Sequence, residues 1–255
     1  MLTIRRTLII LALCLPLRLL AISFVQITDP QLGMVKYADD LATFKRAVVQ
    51  INALKPDFTV ICGDLIANPK PEAYPDFAAA AGEFKSPWYV APGNHDEWKS
   101  AEYTKFFAAT YRTVDQGKLT LVTINTMLLR DAKAEVAEEH LTWLEGVLKE
   151  ADARKQQLIV VGHHPLFLNA PDEKNSGENL PLAIRPRVVD LFVKYHVLAY
   201  LTGHLHYNLV ASYQGITLVS NASSVKNFSD DPIGYRVWNL DDKGYLTQKY
   251  VGIKP

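Results

Sequence analysis

Residues 92–96 read Pro-Gly-Asn-His-Asp, and they directly follow the apolar run 88–91. A short aromatic and β-branched run before a turn is typical of a buried strand, so these polar residues lie where the predicted strand ends. Four more predicted strands end in comparable turns, which are Asp29-Pro30-Gln31, Gly63-Asp64, Gly162-His163-His164-Pro165 and Gly203-His204-Leu205-His206. The strand ends of an α/β sheet lie along one edge, so these distant residues can converge there.

Strand and helix patterns alternate from residue 22 onward. Strands are predicted at 22–28, 58–62, 88–91, 119–126, 158–161 and 197–201, and helices at 39–54, 74–84, 98–109, 136–153 and 187–195. The first of these helices carries its apolar residues on one stripe, at Leu41, Phe44, Ala47, Val48 and Ile51. The alternation predicts a layered α/β domain.

The pattern changes after residue 206. Four runs, 207–213, 216–220, 235–240 and 245–251, predict consecutive antiparallel strands that form a meander. Before them, the irregular stretch 169–180 is longer than an ordinary connection. A long loop beside a site is often a lid or a specificity element, and we expect that role here.

The polar turns carry residue types that bind metals. Five of the seven histidines of the chain lie in them. Hard divalent or trivalent metals prefer carboxylate and carbonyl oxygens together with neutral imidazoles. Each position alone has a structural alternative, because Asp29 can cap a helix, Gly63-Asp64 can form a turn, and His163 or His164 can be a core histidine. The joint occurrence in five turns favours a metal centre.

With these five turns in this order and spacing, the chain resembles the calcineurin-like metallophosphoesterase superfamily over roughly residues 22–210. The blocks 28–33 and 164–168 look like the subfamily of calcineurin-like phosphoesterase-domain serine/threonine phosphatases. Purple acid phosphatases are similar more distantly, since the ligand tyrosine expected three residues after Asp64 is Ala67. The resemblance implies a four-layer α/β/β/α sandwich of two mixed sheets flanked by helices, with the metal site at the C-terminal ends of the strands.

The resemblance also implies two divalent or trivalent metal ions, which can be Mn, Fe or Zn. Asp64 is then the bridging carboxylate, with Asp29 and His206 on one metal. The other metal is held by Asn94, His163 and His204. Most family members have His where this chain has Gln31, so whether this weaker, neutral amide is a ligand stays open.

By the same resemblance, His95 is the catalytic histidine that faces the substrate phosphate, and Asp96 orients and charges it. Two metals can bridge a hydroxide that attacks in line, and an imidazolium can supply the leaving oxygen with a proton. The candidate substrate contacts are Asn94, His95, His164, Phe167 and Tyr207. For His164 the alternative is a core histidine, and for Phe167 it is packing of the cleft wall.

Three functions of different kinds follow. The leading one is hydrolysis of a phosphomonoester, carried by a small molecule or a phosphoprotein. The alternative enzyme is a phosphodiesterase for a cyclic nucleotide or a phospholipid headgroup, because substrate choice lies in loops rather than in the metal turns. A noncatalytic scaffold of the same fold is the third, and it would need neither His95 nor Asp96.

Composition and the N-terminal sequence give expectations about partners, export and domain organisation. Lys plus Arg (27) balance Asp plus Glu (27), which gives no indication of nucleic-acid binding or an anionic membrane partner. Arg5 and Arg6 precede the apolar run 7–17, so residues 1–21 are predicted to be a signal peptide that exports the protein to the periplasm or the exterior. A membrane anchor and a cytoplasmic protein are the alternatives. Residues 22–255 are predicted to form a single metallophosphoesterase domain without a stable membrane span after cleavage.

Overall fold

The structure is a computed structural model that describes residues 21–68, 72–107, 109–130 and 133–255. The predicted signal peptide, apart from Ala21, lies outside the described residues. The strands are β1 Ile22–Ile27, β2 Phe58–Cys62, β3 Trp88–Ala91, β4 Arg112–Gln116, β5 Leu119–Thr123, β6 Gln157–Val161, β7 Val197–Thr202, β8 Leu209–Tyr213, β9 Ile216–Ser220, β10 Gly234–Leu240 and β11 Leu246–Gly252. The helices are α1 Tyr37–Leu54, α2 Ala73–Ala81, α3 Ala101–Phe106, α4 Thr126–Arg130, α5 Ala134–Ala153 and α6 Arg185–Lys194. No helix of these ranges is long and apolar enough to cross a membrane.

The strands form two mixed sheets. One has the order β11-β10-β1-β2-β3, and the other has the order β4-β5-β6-β7-β9-β8. Strands β1, β2 and β3 are parallel, as are β5, β6, β7 and β9, whereas β10 and β8 pair antiparallel with their neighbours. The parallel strands therefore end at common edges, as the polar turns require.

The predicted C-terminal meander is wrong. Strands β8 and β9 form a hairpin in the second sheet, while β10 and β11 form a hairpin at the edge of the first. The segment 221–233 crosses from one sheet to the other. Turn residues identify each hairpin locally, but the choice of sheet depends on burial of Trp238 and Leu240 against the opposite sheet, which no local pattern encodes.

Three apolar clusters separate four layers. Phe44 and Phe77 belong to the cluster between the first sheet and helices α1 to α3. Leu144 and Phe192 belong to the cluster between the second sheet and its helices. Between the sheets, Phe24 stacks on Phe58 and Trp238 at ring distances of 4.8 and 5.9 Å. The four-layer α/β/β/α sandwich is confirmed.

Three local elements differ from the sequence prediction. The strand predicted at 119–126 ends at Thr123, and α4 begins at Thr126 because the Asn125 side chain accepts the Met127 N–H at 3.0 Å. The helix predicted at 98–109 is shorter, since Ser100 caps it by accepting from Tyr103 N–H. No strand pattern in the sequence indicated β4, because β4 is a half-exposed edge strand with charged residues.

Candidate metal centre

All five predicted turns lie at the C-terminal ends of strands, after β1, β2, β3, β6 and β7. The turns bend sharply into the left-handed region of backbone space. Non-glycine residues with positive φ there are Asp29 (48°), Gln31 (33°), Asp64 (44°), His204 (70°) and His206 (54°). Such conformations cost energy and persist where the surroundings hold them, typically at functional sites.

The two aspartates and His163 form the buried centre of the site. Ligand atoms of Asp29, Asp64 and His163 all lie within 4.8 Å of one another. Nε2 of His163 is 3.3 Å from Oδ2 of Asp64, and Nδ1 is 3.7 Å from Oδ1 of Asp29. Asn94 Oδ1 lies 2.9 Å from the same Nε2. Four of the predicted ligands therefore converge, although 29 and 163 are far apart in sequence.

Each of the three predicted ligand imidazoles has one nitrogen against a backbone carbonyl. His163 Nδ1 lies 3.0 Å from Cys62 O, His206 Nδ1 lies 2.5 Å from Lys226 O, and His204 Nε2 lies 3.1 Å from Gly177 O. A carbonyl oxygen can only accept, so these nitrogens carry the proton. The opposite nitrogens are then the ones that can coordinate a metal, as in metal-binding histidines, and they are Nε2 of His163, Nε2 of His206 and Nδ1 of His204. On His163 this nitrogen faces the acceptors Asn94 Oδ1 and Asp64 Oδ2, so a metal ion must displace the proton that they hold there.

His204 joins the centre through both its ring and its backbone. Its Nδ1 lies 3.1 Å from His163 Nε2, and its N–H donates to the two carboxylate oxygens of Asp29 at 3.2 and 3.1 Å. His206 is outside the clusters of ligand atoms within 4.8 Å, although a charge on it would lower the pKa of Asp29. The assignment of these residues to two metals remains a prediction.

The charges of the buried residues act on one another. Burial raises the pKa of Asp29 to about 6, although His206 and His163 act in the opposite direction. Burial would also raise the pKa of Asp64, but His163 lowers it to about 2. Burial would lower the pKa of His163, whereas Asp64 and Asp29 raise it to about 9. A metal ion and a proton therefore compete for the Nε2 lone pair of His163.

Three glycines of the turns stand directly against ligand side chains. A Cβ on Gly63 would lie 2.3 Å from His163 Nδ1, one on Gly93 would lie 2.1 Å from Asp64 Oδ1, and one on Gly203 would lie 2.5 Å from Asp29 Oδ2. These distances are far below van der Waals contact. The glycines let the backbone approach the ligands, a role that the sequence pattern alone, which indicated only turns, did not reveal.

Gln31 is buried beside the carboxylates. Its N–H donates to Asp64 O at 2.8 Å, and the side chain is 2% exposed. Within the described part of the chain, Gln31 Oε1 has no hydrogen-bond partner. A buried acceptor of this kind requires an explanation, and a metal ion or a water bound to one would satisfy it. The donor set of oxygens and neutral imidazoles therefore fits hard metal ions.

The predicted contact between Asp96 and His95 is wrong. Asp96 is buried, and its carboxylate accepts from Leu65 N–H and Gly93 N–H, both at 2.9 Å. Burial, together with the charge of Asp64, raises the pKa of Asp96 to about 8. The Asp96 carboxylate thus holds backbone N–H groups of the turns and forms no hydrogen bond to the His95 imidazole.

His95 is held by other partners. Its N–H donates to Asp64 Oδ1 at 2.9 Å, and its Nδ1 lies 3.1 Å from Ala67 O. Its side chain is exposed at the surface, as is that of Asn94. Both predicted substrate contacts in this turn are therefore accessible from solvent.

The other predicted substrate contacts differ in accessibility. His164 is 1% exposed, its Nδ1 lies 2.9 Å from Thr126 Oγ1, and its ring nitrogens lie within 4.8 Å of those of His163 and His204. It is a buried neighbour of the ligands. Phe167 packs edge-on against Tyr213 at 5.4 Å within the core, which favours the packing alternative, and its contact with substrate stays a prediction. Tyr207 is half-buried after β7.

A sixth polar turn was missed by the sequence prediction. It follows β9, where Ser223 Oγ donates to Asp29 O at 2.8 Å and Ser224 N–H donates to Thr28 O at 3.0 Å. Beyond it, the exposed ring of Phe228 stacks on His206 at 4.8 Å. A buried strand followed by a turn with the small polar residues Asn221, Ser223 and Ser224 is a similar signal to that of the other five turns, and it could have identified this one.

The calcineurin-like phosphoesterase family matches residues 22–208, which is more than half of the chain. The chain belongs to the calcineurin-like phosphoesterase family, so it is a metal-dependent phosphoesterase, as predicted. Serine/threonine-protein phosphatase CPPED1 from Danio rerio is 29% identical over 250 residues, which cover 84% of this chain and 79% of the relative. The 3',5'-cyclic adenosine monophosphate phosphodiesterase CpdA from Escherichia coli strain K12 is 29% identical over 252 residues, covering 89% and 88%.

Solved structures support the same fold. A dimetal phosphatase from Danio rerio aligns with a TM-score of 0.67 at 13% identity, covering 91% of this chain and 99% of that one. Purple acid phosphatase PPD1 from yellow lupin, Lupinus luteus, aligns with a TM-score of 0.67 at 19% identity, covering 91% and 51%. At these identities the likeness concerns the fold alone.

Proposed function

We propose that this chain hydrolyses phosphomonoesters with two metal ions. The ligands are Asp29, Asp64, Asn94, His163, His204 and His206, and Gln31 contributes at the position of Asp29 and His206. The observation that carries the proposal is the common orientation of the three imidazoles. Each donates a hydrogen bond from one ring nitrogen to a backbone carbonyl, which leaves the other nitrogen for coordination. A scaffold without metals would need no such arrangement of tautomers.

The exposed residues after β3 supply the remaining chemistry. Bound metal ions would supply a strong nucleophile at neutral pH and neutralise charge on the phosphoryl oxygens. With Nδ1 of His95 held by Ala67 O, its Nε2 is the nitrogen that can meet a substrate. As an imidazolium it would donate the Nε2 proton to the leaving oxygen. The exposed Asn94, next to His95 in the chain, contacts the buried His163 at 2.9 Å.

A phosphoprotein substrate is supported by the CPPED1 relatives, which are named as serine/threonine-protein phosphatases. The alternative, hydrolysis of a cyclic phosphodiester, is supported by the similar identity to CpdA.

We further propose that residues 22–255 are one domain, because β10 near the C-terminal end of this range pairs with β1 at its beginning, and β11 pairs with β10. Export through residues 1–21 stays a prediction.

The test is a substrate panel on chelator-treated protein to which Mn, Fe or Zn is returned. The panel contains p-nitrophenyl phosphate, a phosphoserine peptide, bis-p-nitrophenyl phosphate and 3',5'-cyclic AMP. We expect metal-dependent turnover with a higher kcat/KM for the monoesters. A higher kcat/KM for cyclic AMP would favour the phosphodiesterase alternative. Metal binding without turnover of any substrate would favour the scaffold.

A further inference from the structure

The long loop 169–180 is anchored at two places, and Asn179 Nδ2 links them by donating to Glu173 Oε1 at 2.6 Å and to Lys174 O at 3.0 Å. In its first part, Glu173 accepts from the N–H groups of Leu168 and Asn169 at 2.9 and 2.8 Å. Arg185, at the start of α6, donates to the carbonyl oxygens of Pro171 and Glu173 at 2.9 and 2.8 Å. None of these bonds involves the loop tip at Gly177.

The tip is held from a different element. Nη1 of Arg130, the last residue of α4, donates to the carbonyl oxygens of Gly177 and Asn179 at 2.8 and 3.0 Å. The Gly177 carbonyl is the same one that accepts from Nε2 of His204 at 3.1 Å. One oxygen thus joins the guanidinium and the imidazole. A charged donor on that carbonyl also orders it more strongly than a neutral donor would.

Helix α4 is a fixed base for this contact. Its residues Met127, Leu128 and Leu129 are buried, and Leu129 packs into the core of the second sheet. At its other end, Thr126 Oγ1 lies 2.9 Å from His164 Nδ1. The helix therefore contacts His164 at one end and is linked to His204 through the Gly177 carbonyl at the other, although it contributes none of the predicted ligands.

From this arrangement we propose that Arg130 is a positioning residue for the metal position of Asn94, His163 and His204. It fixes the Gly177 carbonyl where that oxygen accepts a hydrogen bond from the Nε2–H of His204, which leaves Nδ1 as the ligand atom beside His163. Partners of this kind typically change metal affinity by about 10- to 100-fold. The inference rests on the proposed function for its biological meaning, since it concerns the same metal centre. The contacts themselves are independent of the reaction.

The test compares Arg130→Met and Arg130→Lys with Arg187→Met in the full chain. Arg187 forms an exposed ion pair with Glu138 and has no contact with the loop among the described residues, so its variant removes the same charge elsewhere. Mn²⁺ alone is titrated calorimetrically into chelator-treated protein. For Arg130→Met we expect one Mn²⁺ step to weaken about tenfold while the other is unchanged. Arg130→Lys should recover part of the loss, and Arg187→Met should match wild type.

A second readout needs neither metal nor activity. Long-range nitrogen-15 spectra of the imidazoles report which nitrogen carries the proton, and the His204 signals are assigned by their loss in His204→Asn. We expect the Nε2–H tautomer in wild type and a shift toward the other tautomer in Arg130→Met. If tautomer and both Mn²⁺ steps are unchanged, the proposal is overturned, and a rise in KM alone would place Arg130 on the substrate instead. If wild type binds no Mn²⁺ and gains no turnover with Mn, Fe or Zn, the proposed function fails, and the tautomer still decides the role of Arg130.

Discussion

The imidazole of His163 donates through Nδ1 to the carbonyl oxygen of Cys62, 3.0 Å away and 101 positions earlier in the sequence. Cys62 ends β2, and His163 follows β6 in the other sheet. A strand-end carbonyl of one sheet therefore sets the tautomer of a predicted ligand on the other. The metal centre lies where the two sheets meet, and its geometry depends on how they pack.

Asp64→Asn is expected to impair both metal positions together. A neutral amide is a poor bridge between two cations, and Asp64 contacts both His163 and the backbone of His95. The loss of Mn²⁺ affinity should exceed the roughly 10- to 100-fold effect of losing an outer-shell partner. Metal analysis of the purified variant checks this. One fully occupied position in that variant would show that Asp64 is not the bridge.

His95→Ala is expected to keep the metals and lower turnover by roughly 10²- to 10⁴-fold, the usual size of a general acid effect. His95 is exposed, and its imidazole contacts Ala67 O rather than the buried ligands. His196→Ala is the matched control, because His196 is an exposed histidine that contacts Asp152 away from the site. The measurements are kcat and metal content. Loss of both metals in His95→Ala would contradict the assignment.

Gln31→His is expected to tighten binding at the position of Asp29 and His206. An imidazole is a stronger donor than an amide, and Gln31 Oε1 is a buried acceptor without a partner in the described ranges. The Asn94, His163 and His204 position should stay nearly unchanged. A metal titration with stoichiometry measured in parallel distinguishes the two. An unchanged titration would mean that Gln31 is outside the ligand sphere, and a change at the other position would reverse our assignment.

Gly203→Ala is expected to reduce both stability and metal affinity. The new Cβ would lie 2.5 Å from Asp29 Oδ2 and 2.7 Å from Cys62 O, so the ligand turn must shift. Overpacking of this kind costs about 1 to 3 kcal/mol. Gly146→Ala in α5 is the control, since nothing lies within 4 Å of its added Cβ. Urea unfolding and Mn²⁺ titration of both variants measure the effect, and equal results for the two would remove the steric argument.

His140, which lies away from the metal site, is expected to make the stability of the fold depend on pH. It is 2% exposed, lies beside Tyr111 and Trp143, and has no hydrogen-bond partner among the described residues. Burial lowers the pKa of His140 to about 4, against about 6.5 in an unfolded chain. The unfolded state therefore binds more protons between these values. The free energy of unfolding is therefore highest above about pH 6.5. As the pH falls to about 4, the buried neutral His140 lowers it by at most about 3 kcal/mol.

The measurement is the difference in unfolding free energy between wild type and His140→Phe at pH 7.5 and at pH 5. Because both chains keep the metal turns, titration of the ligands contributes equally and cancels. Wild type should lose more stability than the variant as the pH falls. Equal losses would show that His140 does not carry the dependence.

Local signals in the sequence determined most strands, most helices and the turns that carry the predicted ligands. Asp29, Asp64, Asn94, His163 and His204 could be identified because each follows a buried strand, and parallel strand ends share an edge. The identity of these residues also carries the coordination chemistry. The chain therefore determines by itself that it is an α/β phosphoesterase with a metal site.

Tertiary structure alone decided how that site is held. The carbonyls of Cys62, Lys226 and Gly177 set the imidazole tautomers, yet every residue has a carbonyl, so no side-chain pattern indicates which one will face a ligand. The same reason explains why Asp96 holds backbone N–H groups rather than His95. Sheet membership of the C-terminal hairpins was equally non-local, because it depends on burial between layers. Residue type specifies the chemistry, and packing specifies its orientation.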